Sequence, residues 1–574
     1  MKLNRITSYV KENGIRQGAV LTLDRLLGRQ RTEISYDQWL SCSRLSSHDY
    51  QKMEKTPLEH APLIAVTASM EEEDRTTFFQ SLNLQIYRGF RALKNCPQAD
   101  YILAVEGSCT LKPELLWECA SFLSDRDYSD VDLIYFDSDM IGEDGKKCLP
   151  SFRPDFDPDL LDRVNYMGNV VLVRTDLAYK AVLPSSGGAV FHRFLKRVCL
   201  EDRDGTGSAS RHAIVHIPKV LYHQNLDERL SLGEGAVLCS RFRGKWDPEA
   251  VSGREKPRQA HQAETEPCRE ADPPAHFPGD EPLISVLIPN KDHGEDLARC
   301  VDALLTVNTW QNLEILILEN NSVEAETFRL YEELEAQDER IRVLRWDKAF
   351  NYSAINNFGA ASARGEYLLL LNNDTQILEA DSIARMQRLA SSPETGAVGA
   401  LLLYPDGRVQ HGGIILGYGG IAGHAWEGVF PADIPAPFPR LVFTHTHNAS
   451  AVTGACMMLR RSVFMAVGGM DEQLEVTFND VDLCMRLRKE GLKVLMCPDA
   501  CLIHDESASR GSEDTPQKVA RFHQEIRVFV HRWETELEEG DPFYNPNLTL
   551  TMKSWTCRDE RREARRPYLK YLNI

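Results

Sequence analysis

Through the C-terminal half of the chain, short apolar runs alternate with stretches whose apolar residues recur at helical spacing. The runs are residues 283–289, 313–318, 341–346 and Tyr367–Leu371. Between them, residues 295–306 carry Leu297, Val301, Leu304 and Leu305 on one helical face, and 325–337 and 352–363 read as two further helices. A strand covered on both faces shows a continuous apolar run, and strand–helix–strand repetition predicts a mostly parallel sheet joined by right-handed crossovers. Polar residues follow three of the strands: Asn290, Glu319 and Asp374. Loops at the carboxyl ends of such strands converge on one ligand crevice. The sharpest break is Leu368-Leu369-Leu370-Leu371-Asn372-Asn373-Asp374-Thr375, which throws a carboxylate off the end of a buried strand. One carboxylate together with substrate phosphates is a usual way to hold Mg2+; Asn and Asp also favour ordinary turns.

The pattern occurs twice. Pro62-Leu63-Ile64-Ala65-Val66 opens like Pro282-Leu283-Ile284-Ser285-Val286. Ala104-Val105-Glu106-Gly107-Ser108 sets against Leu370-Leu371-Asn372-Asn373-Asp374, and the stretches 168–174 and 217–223 set against 454–460 and 497–504. Matches in one order predict two copies of a domain, at 61–244 and 281–550. A helical extension over 1–60, with an amphipathic helix at 19–29, precedes them. A linker rich in Pro, Glu, Ala and Gln joins them over 245–280, and a charged tail, 551–574, follows. The run Arg558–Arg566 in that tail reads as a solvated helix face or a contact for anionic lipid headgroups.

Composition narrows the classes. The 574 residues are long enough for several domains, and 43% hydrophobic with 26% charged residues is globular composition. A formal charge of −19 speaks against nucleic acid as a partner. No apolar run is long enough to span a bilayer and Met1–Ile6 has no signal-peptide core, so a cytoplasmic protein is expected. The fourteen cysteines lack zinc spacing, and Cys456, Cys484, Cys497 and Cys501 sit in apolar runs as buried thiols.

Over residues 281–550 the chain resembles family-2 glycosyltransferases of the GT-A fold. The motifs that carry the likeness are Ser285–Pro289, Leu318-Glu319-Asn320-Asn321-Ser322, Phe350–Gly359, Leu371–Thr375, Thr453-Gly454-Ala455-Cys456, Phe478–Leu483 and His504–Gly511. The likeness is nearest to rhamnosyltransferase-like members that build bacterial surface polysaccharides. It implies a Rossmann-like, mixed and mostly parallel sheet, and an inverting transfer of a hexose. The sugar would pass from a nucleotide-diphosphate donor to a glycan or lipid-linked glycan acceptor, with peripheral contact at the inner membrane leaflet.

In the family's metal motif the first acid is replaced here by Asn372, so the resemblance leaves Asp374 to hold Mg2+ or Mn2+, with His504 as a further ligand. Glu319 stands where the family contacts the nucleotide base. Pro289, Asn321, Asn356, Asn357, Asn373 and Arg510 complete the expected donor site. Asp480 is the expected base, since an inverting transfer needs a carboxylate beside the acceptor hydroxyl; the alternative is that Asn479 or Asp480 simply caps the following helix. Gly454, Asp482 and Trp426 are expected at the acceptor, Trp426 within a Gly-rich stretch that also holds His411 and His424.

The first copy lacks this chemistry. Its metal position reads Glu106-Gly107-Ser108-Cys109, its base position Ser185–His192 holds no acid, and the stretch between Val66 and Tyr101 is short for the usual strands. It is expected to be degenerate, with Asp137, Asp139 and Asp144 in an acidic turn. Loss of acids at Asn372 and Asn479 also admits a rival function, a non-catalytic nucleotide-sugar or glycan binding subunit.

Overall fold

A computed structural model describes residues 33–124, 131–142, 144–183, 187–201, 213–225, 281–505, 515–551, 554–561, 563 and 568. The expected helix at 19–29, the expected linker at 245–280 and Arg510 lie outside the described residues.

The first sheet is built from β1 (Ile64–Ser69), β2 (Phe90–Ala92), β3 (Tyr101–Glu106), β4 (Cys109–Leu111), β5 (Leu133–Ile141), β6 (Lys147–Ser151), β7 (Val170–Arg174) and β8 (Ile214–Asn225). Its order is β2-β1-β3-β7-β5-β8-β4, with β6 on β5. The second sheet contains β9 (Ile284–Asn290), β10 (Leu313–Glu319), β11 (Ile341–Arg345), β12 (Tyr367–Leu371), β13 (Thr375–Ile377), β14 (Thr395–Leu403) and β15 (Val409–His411). After the hairpin β16 (Ile414–Leu416) and β17 (Ala422–His424) come β18 (His447–Asn448), β19 (Cys456–Arg460) and β20 (Lys493–His504). The order is β11-β10-β9-β12-β19-β14-β20-β13, with β15 on β14 and β18 on β20. Setting β1, β3, β7, β5, β8 and β4 on β9, β12, β19, β14, β20 and β13 makes the two sheets the same path.

Both are mixed α/β sheets in which most strands run one way. β9, β10, β11 and β12 are mutually parallel, β14 and β20 are parallel to each other, and β19 runs against β12 and β14. The continuous apolar runs explain the core: β10 and β12 are buried at every position, with helices on their faces. The first sheet has one short strand, β2, where the second has β10 and β11.

Register supports the repeat residue by residue. The N–H of Glu106 donates to Asn169 O at 2.9 Å, and the N–H of Asn372 to Ala455 O at 3.0 Å. Ser108 therefore stands in the place of Asp374. The strand pair β5–β8 carries register shifts, and so does β14–β20.

Two expectations are corrected. Asp137 and Asp139 do not belong to the acidic turn; both lie inside β5 with no exposure. Asp137 accepts from Arg153 N and the Asn545 amide, and Asp139 accepts from Tyr36 Oη at 2.7 Å and pairs with His223. The turn closes later, with Gly142 N–H donating to Lys146 O at 2.8 Å. The charged run after Arg558 is not a helix where it is described, and its Glu563 is buried, accepting from Thr549 Oγ1 at 2.5 Å.

One apolar cluster belongs to both halves of the chain. Trp39, Tyr135, Phe152, Leu160 and Val220 share it with Leu401, Val409, Trp426, Phe443, Tyr544 and Leu548. The cysteines singled out in the sequence, Cys456, Cys484, Cys497 and Cys501, are buried free thiols.

Candidate active site

The end of β12 sets the first group. Thr375 opens β13 and lies opposite His504 at the end of β20. This antiparallel pairing brings the Asp374 carboxylate to 3.2 Å from His504 Nε2, and the Asn372 amide lies 3.3 Å from the same nitrogen. Asp374 and His504 are each 4% exposed. His504 Nδ1, the ring nitrogen other than the one facing Asp374, is buried with no hydrogen-bond partner. Among the described residues, no three His, Cys, Asp or Glu side chains converge on one point. The donor set therefore fits a divalent cation that takes further ligands from phosphate oxygens, as a hard ion with few protein ligands does.

The neighbouring strand ends carry the other residues expected at the donor. Asn373 donates from Nδ2 to Asn290 Oδ1 at 2.6 Å, tying the ends of β12 and β9 together beside half-buried Pro289. Glu319, 3% exposed, accepts the N–H of Ser322 at 2.7 Å. Asn321 sits at φ +57° and is exposed, its amide donating to Lys348 O at 2.7 Å.

The second group comes from the start of the helix Asn479–Lys489. Asp480 is half-buried; its Oδ2 accepts the N–H of Gly454 at 2.9 Å and its Oδ1 the N–H of Val481 at 2.8 Å. Two backbone donors fix the carboxylate while each oxygen keeps a lone pair. Glycine at 454 permits this approach: a Cβ there would meet Tyr352 Oη at 3.1 Å and Asp480 Cβ at 3.6 Å. Tyr352 in turn donates to Gly454 O at 2.8 Å. Asn479 accepts the N–H of Asp480 at 2.8 Å, and its Nδ2 is buried without a partner.

These groups share one cleft of about 180 Å3, lined by Tyr352, Asn372, His424, Asn479, Asp480 and His504 among others. Above it, the His411 and His424 Nδ1 atoms lie 2.8 Å apart, and the N–H of Thr453 donates to His411 Nε2 at 3.4 Å. His411 has no exposure, and burial holds its imidazole well below its ordinary pKa, in the neutral form.

Several expected residues are elsewhere. Trp426 is 3% exposed and stacks on Trp555 at 5.1 Å and 1°, within the shared apolar core. Asp482 has no exposure; it accepts from Arg486 at 2.8 Å, Arg532 at 2.6 Å and Trp533 Nε1 at 3.0 Å, binding the helix Asn479–Lys489 to Pro516–Arg532. Neither lines this cleft. Asn356 is buried and donates to Tyr352 O at 2.9 Å, while Asn357 is spent on Met470, accepting its N–H and donating to its carbonyl, both at 2.9 Å. Sequence reasoning missed Tyr352, Gln410 and Thr453 as lining residues. Tyr352 and Thr453 each stood in a motif of the family likeness, Tyr352 opening a helix directly after the cap Asn351, whereas Gln410 carried no signal.

In the first sheet the corresponding Glu106 accepts the N–H of Gly187 at 2.6 Å, and Ser108 donates to Asp74 at 2.6 Å.

The motif order and this geometry agree with family comparison: residues 285–468 match the model of glycosyl transferase family 2. The chain thus carries a glycosyl transferase family 2 domain. It is 38% identical to the uncharacterized protein y4gI of Sinorhizobium fredii over 74% of this chain, and 35% identical to the O-antigen biosynthesis protein RfbC of Myxococcus xanthus over 81%. These alignments span 46% and 34% of the two relatives, so the chain covers less than half the length of either. An N-acetylglucosaminyl-diphospho-decaprenol L-rhamnosyltransferase of Mycobacterium tuberculosis is 28% identical over 29% of this chain and 55% of its own.

Proposed function

We propose that the chain is an inverting glycosyltransferase that moves a hexose from a nucleotide diphosphate to a glycan acceptor of bacterial surface polysaccharide. The carrying observation is the single cleft that holds the anchored Asp480 carboxylate together with His504, which lies against Asp374. Asp480 takes the proton of the acceptor hydroxyl as its oxygen bonds to the anomeric carbon and the bond to the diphosphate breaks, the electron pair leaving with the phosphate. Asp374 and His504 would hold a Mg2+ or Mn2+, which neutralises the charge on the departing diphosphate. Pro289, Glu319, Asn321 and Asn373, at the neighbouring strand ends, would contact the nucleotide and sugar.

The likeness to RfbC and to a rhamnosyltransferase named for a polyprenyl diphosphate substrate supports a lipid-linked acceptor, reached by peripheral contact at the inner leaflet. No helix among the described residues is long and apolar enough to cross a membrane.

Donor-induced thermal shift and donor hydrolysis with UDP-, dTDP- and GDP-sugars plus Mg2+ or Mn2+ test the proposal. Asp374→Ala is expected to lose the metal dependence of donor binding, and Asp480→Asn to keep binding and lose turnover. Binding of no donor overturns the reading in favour of a non-catalytic glycan-binding subunit.

A further inference from the structure

We infer that a second, larger cavity at the junction of the two halves holds the already-built part of the acceptor glycan while its growing end lies against Asp480. This rests on the transferase reading of the first cleft and deepens it. The junction cavity has a volume of about 740 Å3, against about 180 Å3 for the cleft at Asp480. That is ample for a ligand of drug size, and domain junctions are where such sites form. The first half supplies Asp155 and His216 to its lining. The Asp155 N–H, donating to Pro542 O at 2.7 Å, fixes that wall to the second half.

Two shared elements relate the cavity to the base. The helix Asn479–Lys489 brings Asp480 to the first cleft from its first turn and lines the junction cavity with Arg488 and Lys489 from its last. Its 11 residues span about 15 Å. The hairpin β16–β17 borders the first cleft with Ile414 and the junction cavity with Leu416 and Gly417. A glycan whose terminal hydroxyl meets Asp480 thus has the junction cavity within reach of its preceding sugars.

The lining selects the ligand. Leu416, Leu537 and Leu548 offer apolar surface for the C–H faces of sugar rings. Carboxylates outnumber Lys and Arg among the lining residues, which disfavours a diphosphate or an anionic lipid. Glu536 and Glu539 have no side-chain partner among the described residues, and an ionised carboxylate accepts from hydroxyls. Lys489, which lies over the Trp533 ring at 5.6 Å, adds a donor. A neutral, hydroxyl-rich chain satisfies all of these groups.

Hydrogen–deuterium exchange on the full chain tests this. The probes are neutral oligosaccharides released by mild acid from the surface polysaccharide of the bacterium that makes the chain, separated by length. The longer fragments are expected to slow exchange in residues 534–546. Protection confined to the first cleft, or binding of no fragment, overturns the assignment; so does protection of 534–546 by UDP or inorganic diphosphate, which would mark an anion site. The double variant Glu536→Gln/Glu539→Gln should weaken binding of long fragments about tenfold, the worth of one charge-assisted hydrogen bond. The Kd of single sugars and of the donor should not move. An equal loss on single sugars, or no loss on long fragments, overturns the assignment. Glycan protection at the junction with no donor bound at all would leave this site standing and sink the transferase reading, so the two failures are distinct.

Discussion

Asp480 and Trp426 show at the level of single residues how burial separates chemistry from packing. Both stood in motifs, and only the half-buried one lines the cleft. Trp426→Ala removes a ring stacked on Trp555 and is expected to cost about 3–5 kcal/mol, the range for deleting a buried Trp. Chemical denaturation measures it, and Trp426→Phe should recover much of the loss. A direct sugar contact would instead leave stability intact and change the acceptor KM alone. The strand-end carboxylate was legible because four leucines break abruptly into Asn-Asn-Asp. The fate of Trp426 was not, because a Gly-rich loop with an aromatic reads the same whether the ring faces sugar or another tryptophan more than a hundred positions away.

For the elements, periodicity was an accurate guide. The strand at Tyr367–Leu371 and the three helices before it fall where the apolar spacing placed them, since both faces of the sheet are covered and the runs have no competing reading. Pairing partners were not visible. That β13 places Thr375 opposite His504 depends on a register set in three dimensions, so the contact between Asp374 and His504 was reached through resemblance rather than pattern. The helix Asn479–Lys489 that presents the base is fastened by Asp482 to Arg486, Arg532 and Trp533. Asp482→Ala leaves two arginines without their buried carboxylate, and breaking such a pair costs about 3–5 kcal/mol. Because Arg532 is about one-third exposed, the lower end is expected here. Thermal unfolding should show the loss, and kcat should fall more than donor affinity, since only the base is displaced.

The whole molecule is joined by more than its shared core. Asn545 donates to both oxygens of Asp137 at 3.0 and 2.9 Å and to Arg153 O at 2.9 Å, and Asn448 donates to Asp157 from N at 2.8 Å and from Nδ2 at 2.6 Å. Burial pushes the Asp157 carboxyl up to about 6, so this contact closes over a group that is costly to ionise. The two sheets are therefore expected to melt together, in one calorimetric transition. Asn545→Ala, which strips donors from a fully buried carboxylate, should lower that transition by about 1–3 kcal/mol of stability; two separate transitions would show the sheets to be independent.

The sequence repeat announced two similar units but not that they share a core, because the residues of that core are ordinary apolar positions in either copy. The clasp between Asn545 and Asp137 joins positions 408 apart in the chain. On a ribosome adding about 5–20 residues per second, Asp137 waits roughly 20–80 s for its partner. During that time the apolar flank around Tyr135, Leu160 and Val220 stands open in the cell. Newly made chains are thus most exposed to aggregation and to chaperone capture while the second sheet is still being synthesised.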